Sequence, residues 1–189
     1  MNASLFTQST VSRIFCFIVY VITFFVVIPE CTAQIDRQSV QRDSILIAAR
    51  DIMGMQKYCA LITVDSTGRS HARTMNPFPP EEDMTVWMAT NSRSRKAREI
   101  RHNPQVSLYY ADHGLATGSV AITGKAILVT DMNEIMKRKR AYWDQAFPDW
   151  KYLVLIKVIP ERLEVINYKQ HMVNDSTTWE VPSIEFNNE

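Results

Sequence analysis

About six or seven runs of strand-forming residues, most of them joined by short connections, constrain this chain more than any other feature of it. They fall at Tyr58 to Asp65, Arg69 to Met75, Met84 to Thr90, Val106 to Ala111, Gly118 to Thr130, Tyr152 to Ile159 and Leu163 to Tyr168. Parallel neighbours need a crossover of about a dozen residues or more, and most of these connections are shorter. The economical solution is a mainly antiparallel barrel with peripheral helices. Gly124 breaks the longest alternating run, as expected of a strand bent at a barrel corner or bulge.

Three stretches carry helical periodicity instead. From Asp36 to about Met55, Ile45, Ala48, Ala49 and Ile52 recur on one face, and Gly54 ends the pattern. Ser94 to Asn103 is a short helix stopped by Pro104, with only Ala97 and Ile100 as its apolar stripe. Asp131 and Glu134 form a capping box for a helix running through Arg140. The run Lys137 to Arg140 complements the dipole at that helix's C-terminal end and is expected to be solvated. Tyr142, Trp143, Phe147 and Trp150 then supply an aromatic cluster that closes one end of a core or an interface. Pro160 is expected to interrupt the last strand, and Trp179, Val181 and Ile184 are the docking points of a polar tail.

The N-terminus has a different character. Ile14 to Ile28 is an apolar run of 15 residues behind Arg13, short for a membrane span of about 20. With Cys31-Thr32-Ala33 after it, the segment has the form of a secretory signal cleaved after Ala33. This gives a signal peptide over 1–33 and one domain over 34–189, with the barrel at about 56–168 and a tail over 169–189. The expected location is periplasmic or secreted, or membrane-anchored through the N-terminal segment if it stays uncleaved. Cys16 and Cys31 leave with the signal, so Cys59 stands alone as a buried thiol and no disulfide framework exists in the mature chain.

A net charge of +1 gives no footprint for nucleic acid, whose binders carry a strongly basic face. The basic residues are crowded locally instead, which favours a small anionic ligand. Arg93, Arg95, Lys96, Arg98 and Arg101 sit at the junction of a strand and a helix start, where unpaired N–H groups and the dipole also attract anions. A second cationic face comes from Arg69, His71 and Arg73, alternating on one strand. The four histidines show no metal-ligand spacing with one another or with Cys59. Gly-rich dinucleotide, P-loop and Gly-x-Ser-x-Gly motifs are missing, and no side chain stands out as a catalytic acid or base. What remains is a site for a phosphate carrying a large apolar group.

Thr90-Asn91, Ser94-Arg95-Lys96-Ala97, Asn103-Pro104 and Val106-Ser107-Leu108 resemble the flavin-phosphate segment of the pyridoxamine 5'-phosphate oxidase-like split barrels. Ala72-Arg73-Thr74 and Gly124-Lys125-Ala126 extend the resemblance to both sides. It implies a mainly β protein, a six-stranded antiparallel split β-barrel with peripheral α-helices, that forms a homodimer with FMN at the subunit interface. By the same resemblance Arg95 and Lys96 grip the FMN phosphate and Arg73 reaches the ribityl-phosphate or ring region. Ala89 and Thr90 meet the cofactor through backbone and hydroxyl, Thr74 and Met75 line the isoalloxazine side, and Ser119 falls where the oxidase has a glutamine. Phe78 stands where the oxidase subgroup has a lysine for the substrate phosphate, and Ile166 lies near an expected aromatic position. These departures put the chain closer to the short, general-stress-protein-like branch. The implied function is an FMN-dependent oxidoreductase on a small substrate. A non-catalytic flavin or haem module and a deazaflavin-dependent reductase are the alternatives left open.

Overall fold

The structure, a computed structural model, describes residues 39–186. The signal segment expected over 1–33, with its cleavage point and with Cys16 and Cys31, lies outside the described residues. The chain divides into two compact units, Met1–Ser44 and Ile45–Glu189. Of the first, residues 39–44 are an exposed helical stretch in which Ser44 Oγ donates to the Val40 carbonyl at 2.8 Å. The second carries the sheet and its core.

In this second unit the helical residues 45–55, α1, precede β1 (Cys59–Val64), β2 (Ser70–Met75), β3 (Val86–Asn91), α2 (Arg95–His102), β4 (Gln105–Ala111) and β5 (Gly118–Val129). Two short helices, α3 (Met132–Lys137) and α4 (Trp143–Ala146), lead to the long β6 (Leu153–Asn167) and a terminal β7 (Ser183–Glu185). Every pairing is antiparallel. Six strands follow one path, β2-β1-β4-β5-β6-β3, and β7 adds to β6. The sheet curls into a split barrel with β2 and β3 at the ends of its path.

Strand alternation sets the core. Cys59 and Leu61, then Val106, Leu108 and Tyr110, then Val120 and Ile122, and Leu163 and Val165, all turn inward and are at most 5% exposed. The predicted stripe of α1 packs on them, with Ile45, Ala48, Ala49 and Ile52 buried to 2% or less. Burying each of the two isoleucines contributes about 1.5–3 kcal/mol. Gly118 permits this closeness, because a Cβ there would lie 2.1 Å from the Ile166 carbonyl oxygen and 2.9 Å from Ile52 Cδ1.

Pro160 does not interrupt β6. The register shifts between Thr123 and Gly124, which face Arg162 and Pro160, so Glu161 is the extra residue of a bulge. A proline needs no ladder donor at such a place.

The segment after β5 also differs from expectation. Asp131 caps α3, accepting from the Asn133 N–H at 2.7 Å, but the helix ends at Lys137. Arg138 is folded inward, its side chain 13% exposed. It pairs with Glu134 and with Glu81 at 2.7 Å, and its guanidinium lies 3.8 Å over the Trp87 ring. Arg140 donates to the Pro77 carbonyl at 2.7 Å and lies 3.9 Å over Phe78. These cations tie down the proline-rich connection before β3 and are not a solvated helix end. Above them Trp87, Ile135, Trp143, Leu153 and Leu155 form a second apolar cluster, with Phe147 and Trp150 at its margin. In the tail, Ile184 docks through β7 at 7% exposure. Asp175 accepts from the Thr177 and Thr178 N–H groups in a turn, beyond which Trp179 is left 75% exposed.

Candidate functional site

The alternation of β2 turns His71, Arg73 and Met75 toward the barrel interior and leaves Ser70, Ala72 and Thr74 exposed. Where His71 and Arg73 point, α2 lies across β1. Helix α2 starts at Ser94, whose hydroxyl accepts from the Ala97 N–H at 3.4 Å, and it ends at Asn103 before Pro104. Its inner side carries Ala97 and Ile100 and, between them, Glu99, which is 5% exposed.

Glu99 is the centre of the cluster. Its Oε2 accepts from the Thr63 hydroxyl at 2.5 Å and from Arg73 Nη2 at 2.9 Å, while Arg73 Nη1 donates to Thr63 Oγ1 at 2.6 Å. The triangle is closed, since the hydroxyl donates to one partner and accepts from the other. Glu99 Oε1 lies 3.3 Å from Arg95 Nε and 3.9 Å from His71 Nε2 but receives no hydrogen bond. Burial pushes the Glu99 carboxyl up, but the Thr63 hydroxyl and the Arg73 guanidinium, helped by His71, outweigh it and hold the group below the usual carboxylate range. On the far side His71 Nε2 donates to Asp65 at 2.8 Å, and Asp65 also accepts from the Thr67 and Arg69 N–H groups.

Lys96 is half-buried beside this group and makes no hydrogen bond or ion pair among the described residues. Burial lowers its pKa first, repulsion from Arg73 adds to that, and Glu99 opposes both. Arg95 is bound only through Nε, its side chain 59% exposed, so its two terminal nitrogens stay available. Thr90 is 3% exposed at the end of β3, with its hydroxyl 3.3 Å from that of Ser94. The first N–H groups of α2 have no intrahelical acceptor. Together these groups are a donor set for a compact anion.

The fold gathers some of the predicted site residues and separates others. Arg73, Arg95 and Lys96 converge around Glu99, and Thr90 stands at the foot of α2. Ala89 is half-buried in β3, Met75 is 8% exposed in the core, and Thr74 is on the opposite, outer face. Ser119 borders a separate cavity of about 280 Å³ with Tyr109, His113 and Tyr168, which none of Arg73, Arg95 and Lys96 lines. The remaining cations of the basic stretch hold the loop before α2. Arg93 stacks 3.6 Å over Tyr152, Arg98 donates to the Arg93 carbonyl at 2.8 Å, and Arg101 donates to the Ser92 carbonyl at 3.0 Å. Glu99 is absent from the sequence-based candidates. Its only local signal is its spacing of four from Arg95, which any surface helix pair shares.

A larger cavity of about 560 Å³ opens at Asn76, directly after Met75. Arg50, Lys57 and Arg140 line it together with Phe78, Tyr110 and Tyr142, and no carboxylate does. The Tyr110 hydroxyl is buried there without a hydrogen-bond partner. Among the described residues no group of three or more His, Cys, Asp or Glu is placed to hold a metal ion.

The family profile of pyridoxamine 5'-phosphate oxidase matches residues 45–167, which run from α1 to the end of β6. The chain belongs to the pyridoxamine 5'-phosphate oxidase family. General stress protein 26 of Bacillus subtilis (strain 168) is 27% identical to it over 125 residues, covering 62% of this chain and 84% of the relative. A Clostridium acetobutylicum protein related to general stress protein 26 has the same fold, with a TM-score of 0.61 at 13% identity over 75% of this chain and 94% of its own. So does a pyridoxamine 5'-phosphate oxidase-related, FMN binding protein from Nostoc punctiforme PCC 73102, with a TM-score of 0.51 at 17% identity over 78% and 97% of the two chains. Membership in the family accounts for the barrel.

Proposed function

We propose that this chain binds FMN by its phosphate at the start of α2 and acts as an exported, homodimeric flavin-dependent oxidoreductase on a small substrate. The observation that carries this reading is Lys96: a half-buried cation beside Arg73 with no anion of its own. The Arg95 terminal nitrogens, the Thr90 and Ser94 hydroxyls and the first N–H groups of α2 complete a donor set suited to a terminal phosphate. The Nostoc protein described as FMN binding shares the fold, which supports a flavin over an unrelated phosphate ester.

Bound FMN would supply the hydride and electron transfer, and the chain would bind it, orient it and exclude water. The cavity beginning at Asn76 follows the expected ring side and suits a small, flat anion. Its arginines are held by backbone carbonyls rather than by carboxylates, Arg50 by those of Pro80, Glu81 and Glu82 and Arg140 by those of Asn76 and Pro77. Position 78 lacks a cation of its own, and Arg140 lying over Phe78 offers one from another part of the chain.

The outer face of the barrel supports the dimer. Two rows cross four strands, Ala121-Tyr109-Ala60-Thr74 and Thr123-Ser107-Ile62-Ala72, without a charged side chain. Such a flat, uncharged sheet face fits a second copy of itself, and Thr74 and Ser119 both lie on that side. Export is proposed from the N-terminal apolar run alone.

Residues 34–189, purified and read by absorbance and by mass of any bound small molecule, test the core of the proposal. A flavin spectrum, or uptake of added FMN with quenched fluorescence, is the expected result. A colourless protein that leaves FMN free overturns it. Photoreduction followed by reoxidation with candidate acceptors tests turnover, and reoxidation no faster than that of free flavin leaves only a binder.

A further inference from the structure

Glu99 is an acid buried among the cations of an anion site, and the phosphate clamp gives no reason for it. A carboxylate there repels the ligand. Its geometry is nonetheless built: Thr63 and Arg73 both bond Oε2, Thr63 is itself fully buried, and Oε1 faces Arg95 Nε at 3.3 Å. The charges around the anion position are Arg73, Arg95 and Lys96 against Glu99, which leaves two positive charges uncompensated. Asp65 borders the cavity at Arg95 and Glu99 from its far side, where His71 and two backbone N–H groups engage it. Arg98 borders the same cavity while donating to the Arg93 carbonyl, and its one positive charge offsets that of Asp65, which leaves the balance unchanged. A phosphomonoester carries about −1.5 to −2 at neutral pH.

We infer that Glu99 sets the charge of the clamp, matching it to a phosphomonoester dianion and against more highly charged ends such as pyrophosphate. The inference rests on the phosphate reading of this site and adds a specificity-determining residue to it. Removing the charge while keeping an acceptor for Thr63 and Arg73 should leave three uncompensated cations. Affinity for any phosphate then rises at low ionic strength, and its dependence on salt becomes steeper.

The test compares wild type with Glu99→Gln in titrations of FMN and of inorganic phosphate across a series of salt concentrations, with circular dichroism to confirm folding. About tenfold tighter binding at low salt, vanishing as salt approaches about 1 M, is expected for the variant. A folded variant with wild-type affinity and salt dependence, or with weaker binding, overturns the inference. A second measurement needs no variant: displacement of bound FMN from wild type by phosphate and by pyrophosphate. Affinities within about threefold of each other support the charge match, and pyrophosphate binding more than about tenfold tighter overturns it. Wild type that binds phosphate but not FMN would sink the flavin reading alone, since the charge balance is then judged on phosphate.

Discussion

Lys96 is held half out of water next to a like charge, a position that disfavours its protonated form until an anion arrives. Lys96→Ala should therefore weaken FMN binding by roughly ten- to a hundredfold, the equivalent of one charge-assisted contact, while the melting temperature holds or rises slightly. Titration by fluorescence quenching, beside a melting curve, checks both parts. Because the lysine pKa is lowered by burial and Arg73, affinity should begin to fall below the ordinary lysine range as pH rises, and that alkaline limb should be missing in the variant. Cys59 makes an independent prediction. Burial pushes its thiol from an ordinary 9.0 to about 11. Between those values the unfolded chain has released the proton and the folded one has not, so the unfolded state binds fewer protons and stability falls as pH climbs. Denaturant melts from about pH 8 to 11 should show that decline, and Cys59→Ala should lessen it, with the Tyr110 hydroxyl, pushed up from 10.0 by burial, carrying the remainder at the alkaline end. The native thiol should resist a disulfide reagent at about pH 8 and react on unfolding.

Among the elements, β6 and the α3–α4 segment decide most. Strand β6 reaches both halves of the barrel because the bulge at Gly124 absorbs Pro160. A Cβ at Gly124 would fall 2.1 Å from the Ile159 carbonyl oxygen, so Gly124→Ala must displace backbone. A loss of about 1–3 kcal/mol is expected from such overpacking, read as a lower denaturation midpoint with an unchanged slope. Arg138 fastens the α3–α4 segment by one stacked ring and two carboxylates. Arg138→Ala should cost about 2 kcal/mol and open the segment between Pro77 and Asp83 to proteolysis before the barrel itself unfolds. An unchanged cleavage pattern would show that the arginine does not hold this segment down.

At the scale of the whole molecule the question is whether a second copy covers the two uncharged rows that cross β2, β1, β4 and β5. A lysine placed in the middle of it, Ala121→Lys, should convert a dimer into a monomer in sedimentation experiments. If Ser119 and Thr74 reach the flavin from across that interface, FMN affinity should fall with dimerisation although no clamp residue has changed. A variant that stays dimeric, or a wild type that is monomeric at micromolar concentration, would refute this assignment of the face.

Strand positions and inward residues were legible in the chain because a period of two and a period of 3.6 are local properties. Ile45, Ala48, Ala49 and Ile52 declared the buried side of α1, and Ser94 and Pro104 bounded α2. The candidate site was legible only as a set of cations, Arg73, Arg95 and Lys96, joined by a family resemblance. Three outcomes required the tertiary structure. Arg138 and Arg140 turned inward because Trp87 and Phe78, far away in sequence, offered rings to lie on. Pro160 sat in an unbroken strand because its partner Gly124 allowed a bulge. Glu99 became the centre of the site because β1 and β2 brought Thr63 and Arg73 to it. Local periodicity and capping thus determined which residues form which element. Side-chain pairing across elements decided which charges stay free for a ligand, because a charge buried in the barrel end persists only with partners supplied from elsewhere in the chain.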